Sequence, residues 1–206
     1  MEKRVTGFPA MIALLFAAAG LFSVRAGAAA LPERFKTALA RSLDADASWT
    51  MVKTIEDSPL KFRFEGVVSC FKGKGVIWSM EKPIKSKIAM LSEGIEFSGD
   101  GKGLRKVPSS EFPHYHEVRQ AVDDFLAGGE VPFDRLFEVD SSVADGKWRV
   151  EFAPRRFDMR RIIRSVTVTG SEVVEKARFR YASGESADIE FRESGRAAHS
   201  LWKGRE

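Results

Sequence analysis

The sequence predicts an α+β fold: one long antiparallel sheet that must curl, with a helix before it and another interrupting it. Three observations carry this. From Phe62 onward, apolar and polar residues alternate with a period of two over short runs. The breaks between those runs have turn chemistry. Two stretches, 31–43 and 113–127, switch instead to helical spacing.

The first 28 residues read as a removable secretory signal peptide. Lys3 and Arg4 form a basic start, an apolar run follows from Ala10 to Phe22, and Ala26, Ala28 and Ala30 supply small-x-small cleavage sites. The apolar run is shorter than the ~20 residues of a spanning helix, and no cysteine stands at the cleavage region for lipid attachment. Residues 29–206 are then one domain, expected to lie outside the cytoplasm as a soluble monomer. Removing Lys3, Arg4, Arg25 and Glu2 lowers the formal net charge from +4 to +2, too little to argue for nucleic acid.

The domain opens with Phe35, Ala38, Leu39 and Leu43 at helical spacing, with Pro32 and Glu33 where a helix start favours them. Then Phe62, Phe64, Gly66 and Val68 alternate with Arg63, Glu65 and Val67. Val76, Trp78 and Met80 follow, then Ile88 and Met90, then Ile95 and Phe97. Turns fall at Asp57-Ser58-Pro59, Gly73-Lys74-Gly75, Lys82-Pro83, Ser92-Glu93-Gly94 and 99–103, giving a meander whose strands each have one wet face. The stripe Tyr115, Val118, Ala121, Val122, Phe125 and Leu126 predicts the second helix, ended by Gly128-Gly129, with a short helical piece over 132–137. Strands resume at Trp148, Val150 and Phe152, at Val166 and Val168, at Ala177, Phe179 and Tyr181, and at Ile189 and Phe191. The tail from Gly195 is expected to be loose.

A sheet this wide curls, and two helices need not fill its concave side. The apolar face is then either an ordinary packed core or the lining of a cavity for a greasy ligand. Periodicity does not choose between them. If each strand points its larger residues inward, the groove candidates are Phe64, Trp78, Met80, Met90, Phe97, Phe152, Phe179 and Tyr181, with Phe125 and Leu126 on a lid.

The order of elements, and the motifs between Phe64 and Val107, resemble the LolA-type periplasmic carriers of outer-membrane lipoproteins. The motifs are Phe71-Lys72-Gly73-Lys74-Gly75-Val76-Ile77-Trp78, then Lys82-Pro83, then Ser98-Gly99-Asp100-Gly101-Lys102-Gly103-Leu104. The hairpin around Gly184 looks like that family's last one. The resemblance implies an open half-barrel with helices capping an apolar concave face. It also implies a non-enzymatic chaperone that shuttles acylated or lipid-like cargo from an inner-membrane exporter to an outer-membrane acceptor, with no cofactor. The family has an arginine before the proline, held to fix the lid. Lys82 stands there instead, which keeps the charge without the planar fork and favours a divergent relative with another cargo.

Other constellations are weaker. Arg155, Arg156, Arg160, Arg161 and Arg164 crowd one stretch. If it is helical, Arg156, Arg160 and Arg164 share a face fit for lipid headgroups or an acidic partner; otherwise the stretch is a solvated loop and strand edge. His114, His116 and Glu117 lie at a helix start, where residues two apart diverge, so no metal is expected. Cys70, the single cysteine, reads as a buried small apolar residue. The glycines at 99–103 lack the setting of a phosphate loop, and no nucleophile elbow or zinc-protease motif occurs, so an enzyme is not expected. The alternative function is an envelope binding or sensing module of the same fold, filled by its own side chains, that docks on a membrane protein.

Overall fold

The computed structural model describes residues 32–42, 46–71, 74–91, 93–99, 102–108, 110, 137–193 and 201. The predicted signal peptide and the predicted helix at 113–127 lie outside them, as does most of the piece predicted at 132–137. Its last residue, Phe137, begins a strand rather than ending a helix, because it pairs with Pro154.

Helix α1 (Glu33–Ser42) starts on Pro32, whose carbonyl accepts from Phe35 and Lys36 at 2.9 and 3.2 Å. Glu33 in its first turn and Arg41 in its last suit the helix dipole. The first meander is β1 (Asp46–Thr54), β2 (Lys61–Phe71), β3 (Gly75–Lys82), β4 (Ser86–Leu91), β5 (Gly94–Gly99) and β6 (Lys102–Pro108). The second is β7 (Phe137–Ala144), β8 (Lys147–Pro154), β9 (Ile163–Gly170), β10 (Val174–Tyr181) and β11 (Ser186–Glu193), with the one-turn helix α2 (Phe157–Arg160) between β8 and β9.

All eleven strands form one antiparallel sheet in the order β6-β5-β4-β3-β2-β1-β11-β10-β9-β8-β7. The β1–β11 ladder, from Ala47↔Glu193 to Thr54↔Ser186, joins the two meanders. The edges β6 and β7 are consecutive in the chain and do not pair with each other, so the curled sheet stays unclosed. Asp145 and Gly146, at φ 50° and 75°, make the tight β7–β8 turn whose twist matches its strands.

The alternation puts one apolar face inward along every strand, and this face forms a single large cluster. α1 lies on it over β8 and β10. Phe35, fully buried, meets Trp148 edge-on at 5.0 Å and Phe152 at 6.2 Å. Three contacts hold α1 at one rim of the sheet. Arg34 donates to Gly146 O at 3.3 Å, Arg41 pairs with Glu172 at 2.8 Å, and Val174 N donates to Ser42 Oγ at 3.1 Å. Among the described residues α1 thus packs on one part of the inward face, over β8 and β10; the second predicted cap lies outside them.

The outer face is not uniformly wet. Over β3 and β4, Ile77 and Ala89 are buried and Leu91 and Leu201 pack against them. The expectation of one solvated face therefore fails there. Val67-Val68, Val76-Ile77-Trp78 and Ile88-Ala89-Met90-Leu91 are continuous apolar runs, the mark of strands covered on both sides. Elsewhere the outer face carries cross-strand ion pairs, Lys176–Glu190 at 2.8 Å and Arg178–Asp188 at 2.5 Å. No described helix is long and apolar enough to cross a membrane.

Candidate functional site

The inward face is organised by two tryptophans, each laid over a glycine on the next strand. Trp49 faces Gly66 across β1–β2, and Trp148 faces Gly170 across β8–β9. A methyl group added at Gly66 would sit 2.6 Å from Trp49 Cζ2, and one at Gly170 would sit 2.5 Å from Trp148 Cζ2. Absent side chains on these strands make room for the indoles. Trp148 Nε1 donates to Ser171 O at 2.7 Å, whereas the buried Trp49 Nε1 finds no partner among the described residues. Trp49 stacks at a tilt on Trp78, 5.1 Å away, and Trp78 meets Phe191 edge-on at 6.2 Å.

All eight groove candidates belong to this cluster. They differ in depth. Trp78, Met90, Phe97, Phe152, Phe179 and Tyr181 are buried among their neighbours, while Phe64 and Met80 are half-buried. Phe137 and Phe152 pack edge-on at 6.1 Å, and Phe179 stacks beside Tyr181 at 6.5 Å. The proposed lid residues Phe125 and Leu126 lie outside the described residues, as do His114, His116 and Glu117.

The sheet has two unlike rims. α1 is pinned to the rim that carries the β7–β8 and β9–β10 turns. At the other rim emerge the connections β1–β2, β3–β4, β8–β9 and β10–β11. There the inward face stays accessible. Met51 opposes Phe64 across β1–β2, both half-buried, and the same side of β2 continues outward to Phe62, 43% exposed, and Leu60, 60% exposed. Lys53, the last inward position of β1, pairs with Glu185 at 3.0 Å beside this opening. Phe62 was part of the alternation in the sequence and Leu60 was not; which end of the strand stays open depends on where α1 docks.

Lys82 lies at this rim, exposed, and its Nζ donates to Glu65 Oε2 at 3.1 Å. Glu65 also accepts from Arg63, and these two cations hold its carboxyl below the usual range. The arginine stretch is not one helix, so Arg156, Arg160 and Arg164 do not share a helical face. α2 lasts a single turn, and Arg164 belongs to β9, where Ile163 pairs with Tyr181. Strand pairing wins over the helical spacing. Arg155, Arg160 and Arg164 donate to the carbonyls of Phe137, Pro154 and Ala182 at 3.0, 2.7 and 3.3 Å.

Burial pushes the Cys70 thiol up to about 12, so it stays protonated and a poor nucleophile. Burial, followed by the charge of Glu185, likewise raises Tyr181. Among the described residues no group of three or more His, Cys, Asp or Glu side chains is placed to hold a metal ion. What the arrangement offers is apolar surface with access at one rim.

No protein-family model matches the chain, and no curated protein matches it. Among solved structures it is similar to a LolA superfamily protein from Nitrosomonas europaea, at 10% identity over 82% of this chain and 94% of that one, with a TM-score of 0.41. It is also similar to a DUF1329 family protein from Desulfovibrio piger, at 10% identity over 80% and 91%, TM-score 0.37. A third is a putative outer membrane lipoprotein-sorting protein domain from Vibrio parahaemolyticus, at 7% identity over 81% and 94%, TM-score 0.37.

Proposed function

We propose that the protein is a non-enzymatic periplasmic carrier that holds the acyl chains of a lipoprotein, or of another lipid-like cargo, and moves it between the inner and outer membranes. One observation supports this most. The apolar inward face continues without a break to a rim that α1 leaves uncovered, where Phe64, Met80 and Met51 are half-buried and Phe62 and Leu60 are exposed. Each methylene buried there is worth about 0.8 kcal/mol, so about ten give roughly 8 kcal/mol before the costs of ordering the chain. Such a carrier works by differences in affinity, with no covalent chemistry and no cofactor. An inner-membrane exporter and an outer-membrane acceptor are its expected partners.

A second reading has its own support. Six of the eight groove candidates are already buried by the protein itself, as in a binding or sensing module whose core is filled. Two measurements separate the readings: mass spectrometry of lipid co-purifying from an envelope extract, and binding of an apolar fluorescent probe. A carrier retains lipid and binds the probe at the open rim, with Phe64→Asp abolishing both. A lipid-free protein that also ignores the probe ends the carrier reading.

A further inference from the structure

The two rims differ in what they show to solvent. Seven large apolar side chains are exposed among the described residues, and five of them, Leu60, Phe62, Ile84, Phe157 and Ile162, belong to the connections at the open rim or the strand starts beside them. Val143 and Val173 are the two that do not. The most exposed is Phe157, at 77%, the first residue of α2. It stands in the stretch 155–164, which holds five arginines and one aspartate.

We propose that this β8–β9 corner is a docking surface for a bilayer of anionic phospholipid. Its apolar tips, Phe157 and Ile162, are 77% and 55% exposed on a single helical turn and the residue that enters β9, so they are free to insert into a deformable interface. Positive charge surrounds them. The Arg161 guanidinium lies 6.0 Å from the Phe157 ring centroid, so one residue reaches headgroup phosphate while its neighbour enters the acyl boundary. Arg155, Arg160 and Arg164 brace the corner through neutral backbone carbonyls, which fixes its shape without cancelling their charge. A charged corner alone would suit any acidic partner. Exposed Phe157 and Ile162 inside the arginine cluster are what select lipid.

This surface does not rest on the carrier reading, because it lies on the rim and not on the inward face. The test is co-sedimentation of the purified protein with vesicles, neutral phosphatidylcholine alone or mixed with phosphatidylglycerol, at low and high salt. The proposal expects binding to the anionic vesicles only, weakened by salt. It expects Phe157→Ser with Ile162→Ser to weaken binding tenfold or more, and Arg161→Glu to do the same. Val143→Ser with Val173→Ser, at the other rim and edge, leaves binding unchanged. All these variants keep the wild-type thermal midpoint, since the altered side chains are exposed. Equal binding to neutral vesicles, no binding, or binding that survives loss of Phe157 and Ile162 overturns the proposal; that last outcome points to a purely ionic contact of the kind an acidic protein makes. Apolar-probe binding by the Phe157/Ile162 variant stays at the wild-type level, so failure of docking and failure of the carrier reading are read separately.

Discussion

Gly66→Ala is the smallest substitution that should damage this fold most. The added methyl group would run into the carbonyl oxygen of Ser79 on β3, and would lie 2.6 and 2.8 Å from Trp49 Cζ2 and Cε2. Neither neighbour can retreat cheaply. Ser79 O belongs to the backbone of a central strand, and Trp49, only 2% exposed, is backed by Trp78 at 5.1 Å. Overpacking of this kind costs about 1–3 kcal/mol, and with a backbone atom among the clashes the upper end, about 3 kcal/mol, is expected. At a urea slope of about 2 kcal/mol per molar, the unfolding midpoint falls by about 1.5 M. Tryptophan fluorescence follows the transition. Trp49→Phe in the same chain removes the indole clash but not the one with Ser79, so the double variant recovers only part of the loss. A midpoint within about 0.3 M of wild type, at unchanged slope, would refute the claim that Gly66 is there to seat Trp49.

Phe35→Ala should cost about 3–5 kcal/mol, because it empties the contact of α1 with Trp148 and Phe152; urea unfolding measures it, and a loss under about 1 kcal/mol would mean α1 is held by its rim bonds instead. Cys70 should resist Ellman's reagent at pH 8 in the folded protein and react fully in urea, since burial raises its pKa to about 12. Ion pairing with Lys176 lowers the pKa of Glu190, so its contribution is complete above the ordinary glutamate range and fades as pH falls through that range and the folded value below it. The gap in urea midpoint between wild type and Glu190→Gln should therefore close in acid; a constant gap would show that the pair's charge is irrelevant. Leu201→Asp should lower the thermal midpoint by several degrees by placing a charge against Ile77 and Ala89.

How much of this was legible depends on what each feature needs. Trp148, Val150 and Phe152, or Ala177, Phe179 and Tyr181, declare their face locally, because a strand alternates whatever it pairs with. The seating of Trp49 on Gly66 needs the register, which no single strand contains, although Gly66 already stood on the inward side of its run. The β1–β11 ladder joins residues more than 130 apart, beyond any local pattern. Arg156, Arg160 and Arg164 had helical spacing. Ala182 N bonding to Ile162 O and the pairing of Ile163 with Tyr181 draw the chain into β9 one turn after α2 begins.

The placement of burial along the inward face also resolves a tension in the carrier reading. A sheet lined only by empty space would lose the packing that holds it curled. Here the aromatic cluster beneath α1, with Phe35, Trp148 and Phe152, is filled and supplies that packing. Towards the opposite rim the same apolar rows thin to half-buried Met51, Phe64 and Met80 and then to exposed Phe62. Stability and access thus fall to different parts of one face. On the carrier reading, substitutions under α1 should act on folding, and substitutions at Phe64 or Met80 should act on cargo with much smaller effects on stability. The arginine-flanked tips at Phe157 and Ile162 stand on that accessible rim. A surface that meets a bilayer there would bring the open side of the face towards the lipid it is proposed to receive.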